Sequence, residues 1–302
     1  MRSSFIQRLT MHLAYRGFYK NMSDERYLSF MYSVLFRKKI NLTSPTTYTE
    51  KLQWLKLHDR NPLYTKMVDK YEAKEYVKNI IGESYLIKTL GIYDSFDEID
   101  FSTLPNKFVM KCTHDSGGII ICKDKSSFDI RKAKKQINRF LSNRFCFFGR
   151  EWPYSNVKPR IIIEEYLEDK NTGNLPDYKF FAFDGVVKAM FVASDRYLDN
   201  KEVKFDFYDS EFNHLPIING HPNATVPPKR PFNFDLMVRL AEQLSLGIPH
   251  VRVDFYEVDK KVYFGELTFY HFSGFVPFEP EEWDSVFGKW IDLTKVKHTS
   301  ED

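Results

Sequence analysis

Cysteine is scarce in this sequence, and charges of the two signs nearly cancel. The three cysteines are Cys112, Cys122 and Cys146, and no two of them form a Cys-x-x-Cys pair. The odd count and the spacing argue against a disulfide framework and a structural zinc site, so we expect free, buried thiols in a reducing compartment. Lysine and arginine number 44 against 41 acidic residues, which gives a net charge of +3. This balance does not suggest a dedicated nucleic-acid-binding protein, which would carry a clustered basic excess.

Long apolar runs are also missing. No stretch approaches the roughly 18 apolar residues that a membrane-spanning helix needs. The first 20 residues hold four basic residues and no acidic one, and their apolar members include Phe5, Leu9, Leu13 and Phe18. An amphipathic helix resting on an anionic membrane is one interpretation, but a helix packed on its own domain is favoured. We therefore expect a cytoplasmic protein, with residues 1–20 as the candidate for peripheral contact with the inner membrane.

What the chain does contain is enough apolar material for a real core. Hydrophobic residues make up 43% of its 302 residues and aromatic residues 17%, which suits two or three packed subdomains. The first 100 residues are predicted to be helical. Thr47 and Glu50 can form a capping box at the start of one helix. Asn61-Pro62 predicts the start of another helix, which can run to Gly82.

Strand patterns dominate the remainder of the chain. The predicted strands are 107–112, 118–122, 160–166, 177–183, 186–194, 251–257 and 261–268. Predicted helices begin near Ile130, Asn233 and Pro280, and residues 143–159 are predicted to be a flexible connection. Hairpins mixed with helices indicate an α+β fold. We expect a helical region at 1–100, a small lobe with a glycine loop at 101–159, and a C-terminal lobe with a metal site at 160–302.

The last predicted hairpin carries the most informative charges. Strand alternation puts Arg252 and Asp254 on one face of the first strand, and Glu266 and Thr268 on one face of the second. A three-residue loop at 259–261 would place Asp254 opposite Glu266, whereas a two-residue loop would turn Glu266 away. We favour the three-residue loop.

Two opposed carboxylates are stable when a cation lies between them. Oxygen ligands suit magnesium, which usually arrives with substrate phosphates, and Arg252 could hold a phosphate or stabilise a transferring phosphoryl group. The alternative is a surface hairpin with ordinary charged residues.

Two upstream segments can complete a nucleotide site. The strand that contains Lys111 leads into a loop, His114-Asp115-Ser116-Gly117-Gly118, whose backbone N–H groups could approach phosphates. The loop does not match the P-loop pattern, and a plain hairpin is the alternative. The strand that ends in Glu164-Glu165-Tyr166-Leu167 could offer backbone groups to an adenine and a carboxylate to a ribose, although a solvated acidic loop fits equally well. Lys179 is a further candidate in the company of these residues.

The order and spacing of these motifs resemble the ATP-grasp superfamily over about residues 40–293. Arg252-x-Asp254, Gly265-Glu266-x-Thr268 and Ser273-Gly274 are similar to the tail of D-alanine–D-alanine ligases. There the arginine contacts transferred phosphate, and the acidic residues and an asparagine bind two magnesium ions. Thr268 stands where asparagine is usual, so the number of metal ions stays open.

The closer resemblance is to the TupA-like ATP-grasp branch, which is named for teichuronopeptide biosynthesis. Members of that branch occur with bacterial capsule and surface-polysaccharide genes. The resemblance rests on Thr49-Glu50-Lys51-Leu52-Gln53-Trp54, Asp69-Lys70, Lys111-Cys112-x-His114, Ser116-Gly117-Gly118, Asp177-Tyr178-Lys179-Phe180 and Asp195-Arg196.

This resemblance implies an α+β fold of two lobes that clasp ATP, preceded by a helical N-terminal region. It also implies an ATP- and magnesium-dependent carboxylate–amine ligase, which joins an amino acid or other amine to a uronic-acid carboxyl through an acyl phosphate. The acceptor would be a sugar nucleotide, a lipid-linked repeat or a polysaccharide, and no nucleic acid is involved.

The resemblance assigns a role to each candidate residue. Phosphates would be held by Lys111, His114, Ser116, Gly117 and Gly118. Adenine and ribose would be bordered by Glu164, Glu165, Tyr166 and Leu167. Magnesium would be bound by Asp254, Glu266 and Thr268. Arg252 would stabilise the transferring phosphoryl group, and the candidates for acceptor or phosphate contacts are Lys179, Arg196 and His271, of which Lys179 is favoured.

Two rival functions come from other classes. A glycosyltransferase would often carry a DxD pair, and Asp206-Phe207-Tyr208-Asp209 lacks that spacing. A non-catalytic ATP- or polysaccharide-binding module could use some of the 28 phenylalanines and 18 tyrosines as stacking platforms.

Overall fold

Helices form the N-terminal part of the computed structural model, which describes residues 4–115, 117–143, 146–169, 175–194 and 202–296. The first five are α1 Phe5–Tyr15, α2 Asp24–Phe36, α3 Tyr48–His58, α4 Leu63–Val68 and α5 Glu72–Ile81. The predicted capping box of α3 is confirmed, because the Thr47 hydroxyl accepts from the Glu50 N–H and the Glu50 carboxylate accepts from the Thr47 N–H. Helices α1 and α2 bury apolar side chains in a small core that includes Ala14, Leu28 and Phe275.

The helix predicted from residue 62 to Gly82 is two helices. Asp69 lies between α4 and α5, and its carboxylate accepts hydrogen bonds from the backbone N–H groups of Tyr71 and Glu72, at 2.8 and 3.2 Å. These bonds satisfy N–H groups at the start of α5 that have no partner within the helix. The capping carboxylate therefore starts a second helix where the sequence predicts one continuous helix.

A four-stranded sheet forms the first lobe, in the order β1-β4-β2-β3. Its strands are β1 Thr89–Tyr93, β2 Phe108–Cys112, β3 Ile119–Cys122 and β4 Ile161–Glu165. The predicted β2–β3 hairpin is confirmed. A lobe boundary at residue 160 does not follow this sheet, because β4 pairs with both β1 and β2. Strand β1 also lies inside the region that the sequence predicts to be helical. A run of β-branched residues predicts a buried strand, but it does not identify the strands with which that strand pairs.

A six-stranded sheet forms the second lobe, in the order β11-β10-β5-β6-β7-β8. Its strands are β5 Asp177–Phe183, β6 Val186–Ser194, β7 Lys204–Asp209, β8 His214–Leu215, β10 Val251–Val258 and β11 Lys261–Thr268. The predicted turn at Asp184-Gly185 is confirmed, and both of its residues have positive φ. A separate two-stranded sheet pairs β9 Ile218–Asn219 with β12 Phe278–Glu279.

Five further helices lie in the described residues after β3. They are α6 Ile130–Leu141, α7 Cys146–Gly149, α8 Trp152–Ser155, α9 Phe234–Ser245 and α10 Glu282–Trp290. The prediction of a flexible connection at 143–159 is wrong for the described part of that segment. Helices α7 and α8 lie there, and hydrogen bonds from Tyr27 to the Phe148 carbonyl and from the Trp152 indole to the Asp59 carbonyl hold them to the N-terminal helices.

The two sheets have separate cores. The largest core lies on the second sheet and includes side chains of α3, α4, α5, α9 and α10, while the core of the first sheet lies under α6. Within the described residues, none of the helices combines the length and the apolar character needed to cross a membrane.

Candidate functional site

The β10–β11 hairpin has the predicted pairing of charges, but a different loop produces it. Val258 pairs with Lys261, so the turn contains two residues, Asp259 and Lys260. A register shift between Asp254 and Phe255 leaves Gly265 as an extra residue on β11, and this bulge restores the pairing of Asp254 with Glu266. A side chain at 265 would crowd the sheet, because its Cβ would lie 3.0 Å from the Asp254 carbonyl oxygen.

Arg252 is the centre of a buried cluster on this face of the sheet. Its Nε and Nη2 donate to the two oxygens of Asp254, at 2.8 and 2.9 Å. Nη2 also donates to the Thr268 hydroxyl at 3.0 Å, and Nη1 donates to Nδ1 of His271 at 2.7 Å. The Glu266 carboxylate lies 3.5 Å from Nη2. All the predicted groups of the hairpin therefore converge on one guanidinium.

Lys179 joins this cluster from the neighbouring strand β5, on which it pairs directly with Asp254. Its ammonium donates to Oδ2 of Asp254 and lies 2.7 Å from Oδ2 of Asp177. Lys179, Asp177 and Asp254 are each at most 5% exposed. Arg252 and Lys179 thus supply part of the positive charge that we expected between the opposed carboxylates.

Charge pairing sets the protonation states of these buried groups. Burial alone would raise the pKa of Asp254, but the charges of Arg252 and Lys179 and their hydrogen bonds lower it well below its usual range. Burial and the charge of Arg252 lower the pKa of His271, so its ring is neutral at neutral pH. Because Arg252 can only donate, Nδ1 of His271 accepts and its Nε2–H donates to Asn219, at 2.9 Å.

A strained turn holds His271 in place. Phe272, Ser273 and Gly274 all have positive φ, which is uncommon for residues other than glycine. Two side chains of α3 donate hydrogen bonds to the backbone of this turn. The Gln53 amide donates to the carbonyls of Ser273 and Gly274, and the Lys56 ammonium donates to that of Ser273. Gln53 of the Thr49–Trp54 motif and Lys56, two residues beyond that motif, therefore position this turn, a role that the sequence did not reveal.

A second charged cluster lies on the first sheet. Glu164 is 5% exposed, and its oxygens lie 2.7 Å from Lys111 Nζ and 2.5 Å from Lys74 Nζ. Burial alone would raise the pKa of Glu164, but the charges of the two lysines lower it. Glu164 is therefore an ionised carboxylate flanked by two cations, one of which, Lys74, comes from helix α5.

The glycine loop lies beside this cluster. Lys70 donates to the Asp115 carbonyl at 2.6 Å, and the Asp115 carboxylate accepts from Asn143 at 3.2 Å. Gly117 has a φ of +91°, a conformation that favours glycine. His114 is buried, with Nε2 3.3 Å from the Asn143 carbonyl. Ser116 lies outside the described residues.

A small cavity of about 150 Å³ joins the two clusters. The first sheet and its loop contribute Lys111, Gly117 and Glu164, and the hairpin contributes Gly265 and Glu266. The structure therefore places two of the predicted phosphate-binding residues in one cavity with a predicted metal ligand.

A larger cavity of about 920 Å³ lies next to it. Its lining includes Lys179, Arg252 and Thr268 from the buried cluster, aromatic side chains such as Phe191, and Met11 and Tyr15 of helix α1. Glu266 lines both cavities. A ligand in the small cavity and a ligand in the large cavity would therefore meet at this carboxylate.

The remaining predicted residues lie farther from the cavities. Glu165 is exposed at the end of β4, and Tyr166 and Leu167 follow it, half-buried. None of the three lines either cavity described above, so their adenine and ribose contacts stay predictions. Arg196 lies outside the described residues.

Glu151 also lines the larger cavity, although it was not predicted from the sequence. It is 3% exposed, and its carboxylate accepts from the Ser273 hydroxyl. Burial raises the pKa of Glu151, against the opposing effect of the nearby Lys56 charge. Lys74 was not predicted either, because in the sequence a buried lysine among the charged residues of α5 cannot be distinguished from a solvated one. Only the three-dimensional contacts distinguish these two groups from ordinary surface charges.

The oxygen donors at the hairpin fit a magnesium ion that shares phosphate ligands. Asp254, Glu266 and Thr268 are hard oxygen donors of the kind that magnesium prefers. Asp254 is occupied by Arg252 and Lys179, whereas the Glu266 side chain is 40% exposed. Across the described ranges, no group of three or more His, Cys, Asp or Glu side chains is arranged to hold a metal. These donors therefore suit a metal ion that is bound together with a phosphorylated ligand better than a metal ion that is bound by protein side chains alone.

A family model described as TupA-like ATPgrasp matches residues 50–292. No curated protein matches the chain.

Similar solved structures include D-alanine–D-alanine ligase from Helicobacter pylori, with 12% identity, a TM-score of 0.45, and coverage of 85% of this chain and 68% of that one. The D-alanine–D-alanine ligase from Bacillus anthracis complexed with ATP has 11% identity, a TM-score of 0.38 and coverage of 67% and 53%. The ATP-grasp ligase PsnB complexed with minimal precursor, Mg and ADP has 11% identity, a TM-score of 0.39 and coverage of 73% and 57%. The chain thus spans little more than half the length of the last two.

Proposed function

The chain belongs to the TupA-like ATP-grasp family, and we propose that it is an ATP-dependent carboxylate–amine ligase that forms an amide through an acyl phosphate. The observation that carries this proposal is the position of Glu266 in the lining of both cavities. A ligase of this kind must bring the γ-phosphate of one substrate to the carboxylate of another. A shared carboxylate at the junction of two cavities suits that transfer.

We propose that the small cavity is the phosphate end of the nucleotide site. Lys111 and Lys74 bring two positive charges to it, and Gly117 lets the backbone approach an anion. Glu164 forms ion pairs with both lysines, so their ammonium groups have fixed positions before the nucleotide arrives. Magnesium that arrives with the phosphates would be bound first by Glu266 and would neutralise charge on the phosphate oxygens. Asp254 and Thr268, the other two predicted ligands, accept hydrogen bonds from Arg252 and would reach the ion only by exchanging those bonds.

The proposed reaction has two steps. The acceptor carboxylate attacks the γ-phosphorus of ATP, the bond to the bridging oxygen breaks, and ADP leaves. An amine then attacks the acyl carbon, loses a proton, and displaces inorganic phosphate to leave an amide. The contribution of the chain is mainly positioning and charge stabilisation.

Arg252 is the residue that we propose for stabilising the transferring group. Its four hydrogen bonds to Asp254, Thr268 and His271 hold the guanidinium rigidly and use four of its five N–H groups. The remaining N–H group can donate to a phosphoryl or acyl oxygen. Because His271 is neutral, it accepts from Arg252 without adding a competing positive charge. Lys179 adds positive charge to the same wall of the cavity.

We propose Glu151 as the group that receives the amine. An amine arrives as an ammonium ion and needs an anionic partner, and Glu151 lines the large cavity together with Arg252. Its raised pKa favours taking up a proton from the ammonium. Glu266 is assigned to the metal, so it does not serve this role.

For the substrate class, we propose a uronic-acid carboxyl and an amino acid or other amine, in bacterial capsule or surface-polysaccharide synthesis. The resemblance to the branch named for teichuronopeptide biosynthesis supports this choice. A cavity of about 920 Å³ with walls such as Phe191, Phe205 and Phe272 has room for a sugar with its attached groups.

The test is ADP release, scanned across amines and uronic-acid acceptors with magnesium and ATP. The proposal expects release that requires both an amine and a carboxylate. A thermal-shift series with magnesium–ATP and with nucleotide sugars separates the rival functions. Stabilisation by ATP alone agrees with a ligase or with an ATP-binding module, and ADP release distinguishes these two. A shift only with a nucleotide sugar indicates a glycosyltransferase, and no shift with either argues against both activities.

A further inference from the structure

Helix α1 presents an apolar surface that no described part of the chain covers. Phe5 and Phe18 are each 71% exposed, Ile6 is 67% exposed and Leu9 is 46% exposed. Large apolar side chains usually lie inside a protein, and a cluster of exposed ones marks an interaction surface. Phe5, Ile6 and Leu9 lie on α1, and Phe18 lies three residues after its end. We call these four side chains together the apolar surface of α1.

The opposite side of α1 is firmly attached to the protein. Thr10 and Ala14 are buried, and the Gln7 side chain donates to the carbonyls of Val34 and Leu35. Ser4 and Gln7 form a capping box at the start of the helix. The helix is therefore fixed in orientation, and its outer face is a constant feature of the surface.

Basic residues flank the apolar surface. Arg8, His12 and Arg16 are exposed and follow one another at four-residue spacing, so they form a stripe along α1 and its C-terminal end. Phe5 and Leu9 have the same spacing and form the neighbouring stripe. The first acidic residue of the chain is Asp24. An apolar stripe beside a basic one is the pattern of a helix that lies in the interface of an anionic bilayer.

We propose that this face of α1 binds the surface of an anionic phospholipid membrane. Phe5, Ile6, Leu9 and Phe18 would enter the boundary between headgroups and acyl chains, and the basic side chains would pair with lipid phosphates. A second copy of the chain is a poorer occupant. A twofold dimer through this face would bring two identical basic stripes together.

The position of α1 gives this contact a consequence for the proposed ligase. Tyr15 lines the large cavity and is 58% exposed, so the cavity reaches the surface beside this face. Its ring stacks on Phe148 with centroids 4.3 Å apart. If the proposed function holds, membrane binding would place the mouth of the acceptor cavity at the lipid surface, where a lipid-linked acceptor could enter it.

The test is co-sedimentation of the full chain with vesicles. One set contains phosphatidylcholine alone, and the other contains phosphatidylcholine and phosphatidylglycerol in equal parts. The wild type should bind the anionic vesicles and not the neutral ones, and added salt should weaken binding. Phe5→Ser with Leu9→Ser, and separately Arg8→Glu with Arg16→Glu, should each lower the partition coefficient by at least about tenfold.

The matched control is Phe232→Ser, because Phe232 is 70% exposed on another part of the surface. It should bind anionic vesicles as the wild type does. All the substituted positions are exposed, and thermal unfolding checks that each variant is folded. Absence of wild-type binding to anionic vesicles, or unchanged binding by either double variant, would overturn the proposal. These outcomes do not depend on catalysis, so the proposal can fail while the ligase function stands.

Discussion

Asp254 and Glu266 face each other across the hairpin, yet they are held very differently. Asp254 is 1% exposed and lies between Arg252 and Lys179, whereas the Glu266 side chain is 40% exposed. A buried carboxylate between two cations stabilises the folded protein. A half-exposed carboxylate is available for a ligand.

Substituting the two carboxylates should therefore change stability by very different amounts. Asp254→Asn removes the carboxylate that the buried cations Arg252 and Lys179 share and leaves them only Glu266 and Asp177 as acidic partners. It should lower the free energy of unfolding by about 3–5 kcal/mol. Glu266→Gln removes a partly exposed charge and should change it by less than about 1 kcal/mol. Urea unfolding measures both, with Glu211→Gln, an exposed residue of the β7–β8 turn, as the control. Equal losses for the two variants would contradict the buried ion cluster.

His250 gives the fold a sensitivity to acid. Its Nδ1–H donates to the Ala182 carbonyl at 3.0 Å, and its Nε2 accepts from the Tyr48 hydroxyl at 2.9 Å. Burial lowers the pKa of His250 from 6.5 to about 3. Between these values the unfolded chain binds the proton and the folded chain does not. The stability due to neutral His250 is complete above pH 6.5 and is lost as the pH falls toward 3.

The measurement is the free energy of unfolding across this pH range for the wild type and for His250→Gln, in which an amide can make both hydrogen bonds. The wild type should lose up to about 1.4 kcal/mol per pH unit more than the variant. Some acid sensitivity should remain in the variant, because the pKa of His271 is lowered too. Parallel pH profiles for the two proteins would rule out a buried neutral His250.

Residue types and alternation were enough to predict that Arg252, Asp254, Glu266 and Thr268 lie on one face, and the pairing of Asp254 with Glu266 is confirmed. The roles of Glu151, Lys74 and Lys56 could not be predicted in this way. Each lies in a segment with several charges, and a buried charge looks like a solvated one in sequence. Their burial arises from contacts between distant segments, such as that between Lys56 and Ser273.

Elements that end in a clear turn or helix cap were predicted correctly from local sequence patterns. The capping box at Thr47 and the turn at Asp184-Gly185 each have a local chemical cause and were predicted correctly. The two-residue turn at Asp259-Lys260 was predicted as three residues, and the pairing survived because Gly265 forms a bulge. Sequence alternation alone cannot reveal a bulge, since the extra residue disturbs the same pattern that would identify it.

Helix α10 offers a test of packing between elements. Gly288 faces the start of α3, where Asp284 accepts two hydrogen bonds from Thr49, at 2.8 and 2.7 Å. An alanine Cβ at 288 would lie 2.7 Å from the Thr47 carbonyl carbon, which is backbone and cannot turn aside. Alanine normally favours a helix over glycine by up to about 1 kcal/mol, but here we expect Gly288→Ala to destabilise the protein by about 1–3 kcal/mol.

Thermal or urea unfolding of Gly288→Ala measures this effect. Ser285→Ala, at an exposed position of the same helix, is the control and should be neutral or slightly stabilising. A Gly288→Ala variant as stable as Ser285→Ala would show that α10 does not approach α3 as closely as described.

At the scale of the whole molecule, two sheets bring together residues that are far apart in the chain. Lys111 and Glu164 come from the first sheet, and Arg252 and Glu266 from the second. The small cavity between them has about 150 Å³, less than the roughly 300–1,000 Å³ of most ligand pockets. This cavity therefore suits only the phosphate end of the proposed nucleotide, and the adenine and ribose would lie outside it.

If the proposed function holds, phosphoryl transfer to a carboxylate takes place beside Glu266. Hydroxylamine traps an acyl phosphate as a stable hydroxamate, so its yield reports the first step without the natural amine. With magnesium–ATP and a panel of uronic acids, the wild type should form a hydroxamate from at least one acceptor. Glu266→Gln should form it at least about a hundredfold more slowly while remaining folded. Hydroxamate formation at equal rates by the two proteins would show that Glu266 does not take part in the transfer. ADP release by the wild type with no hydroxamate from the same acceptor would show that no acyl phosphate forms.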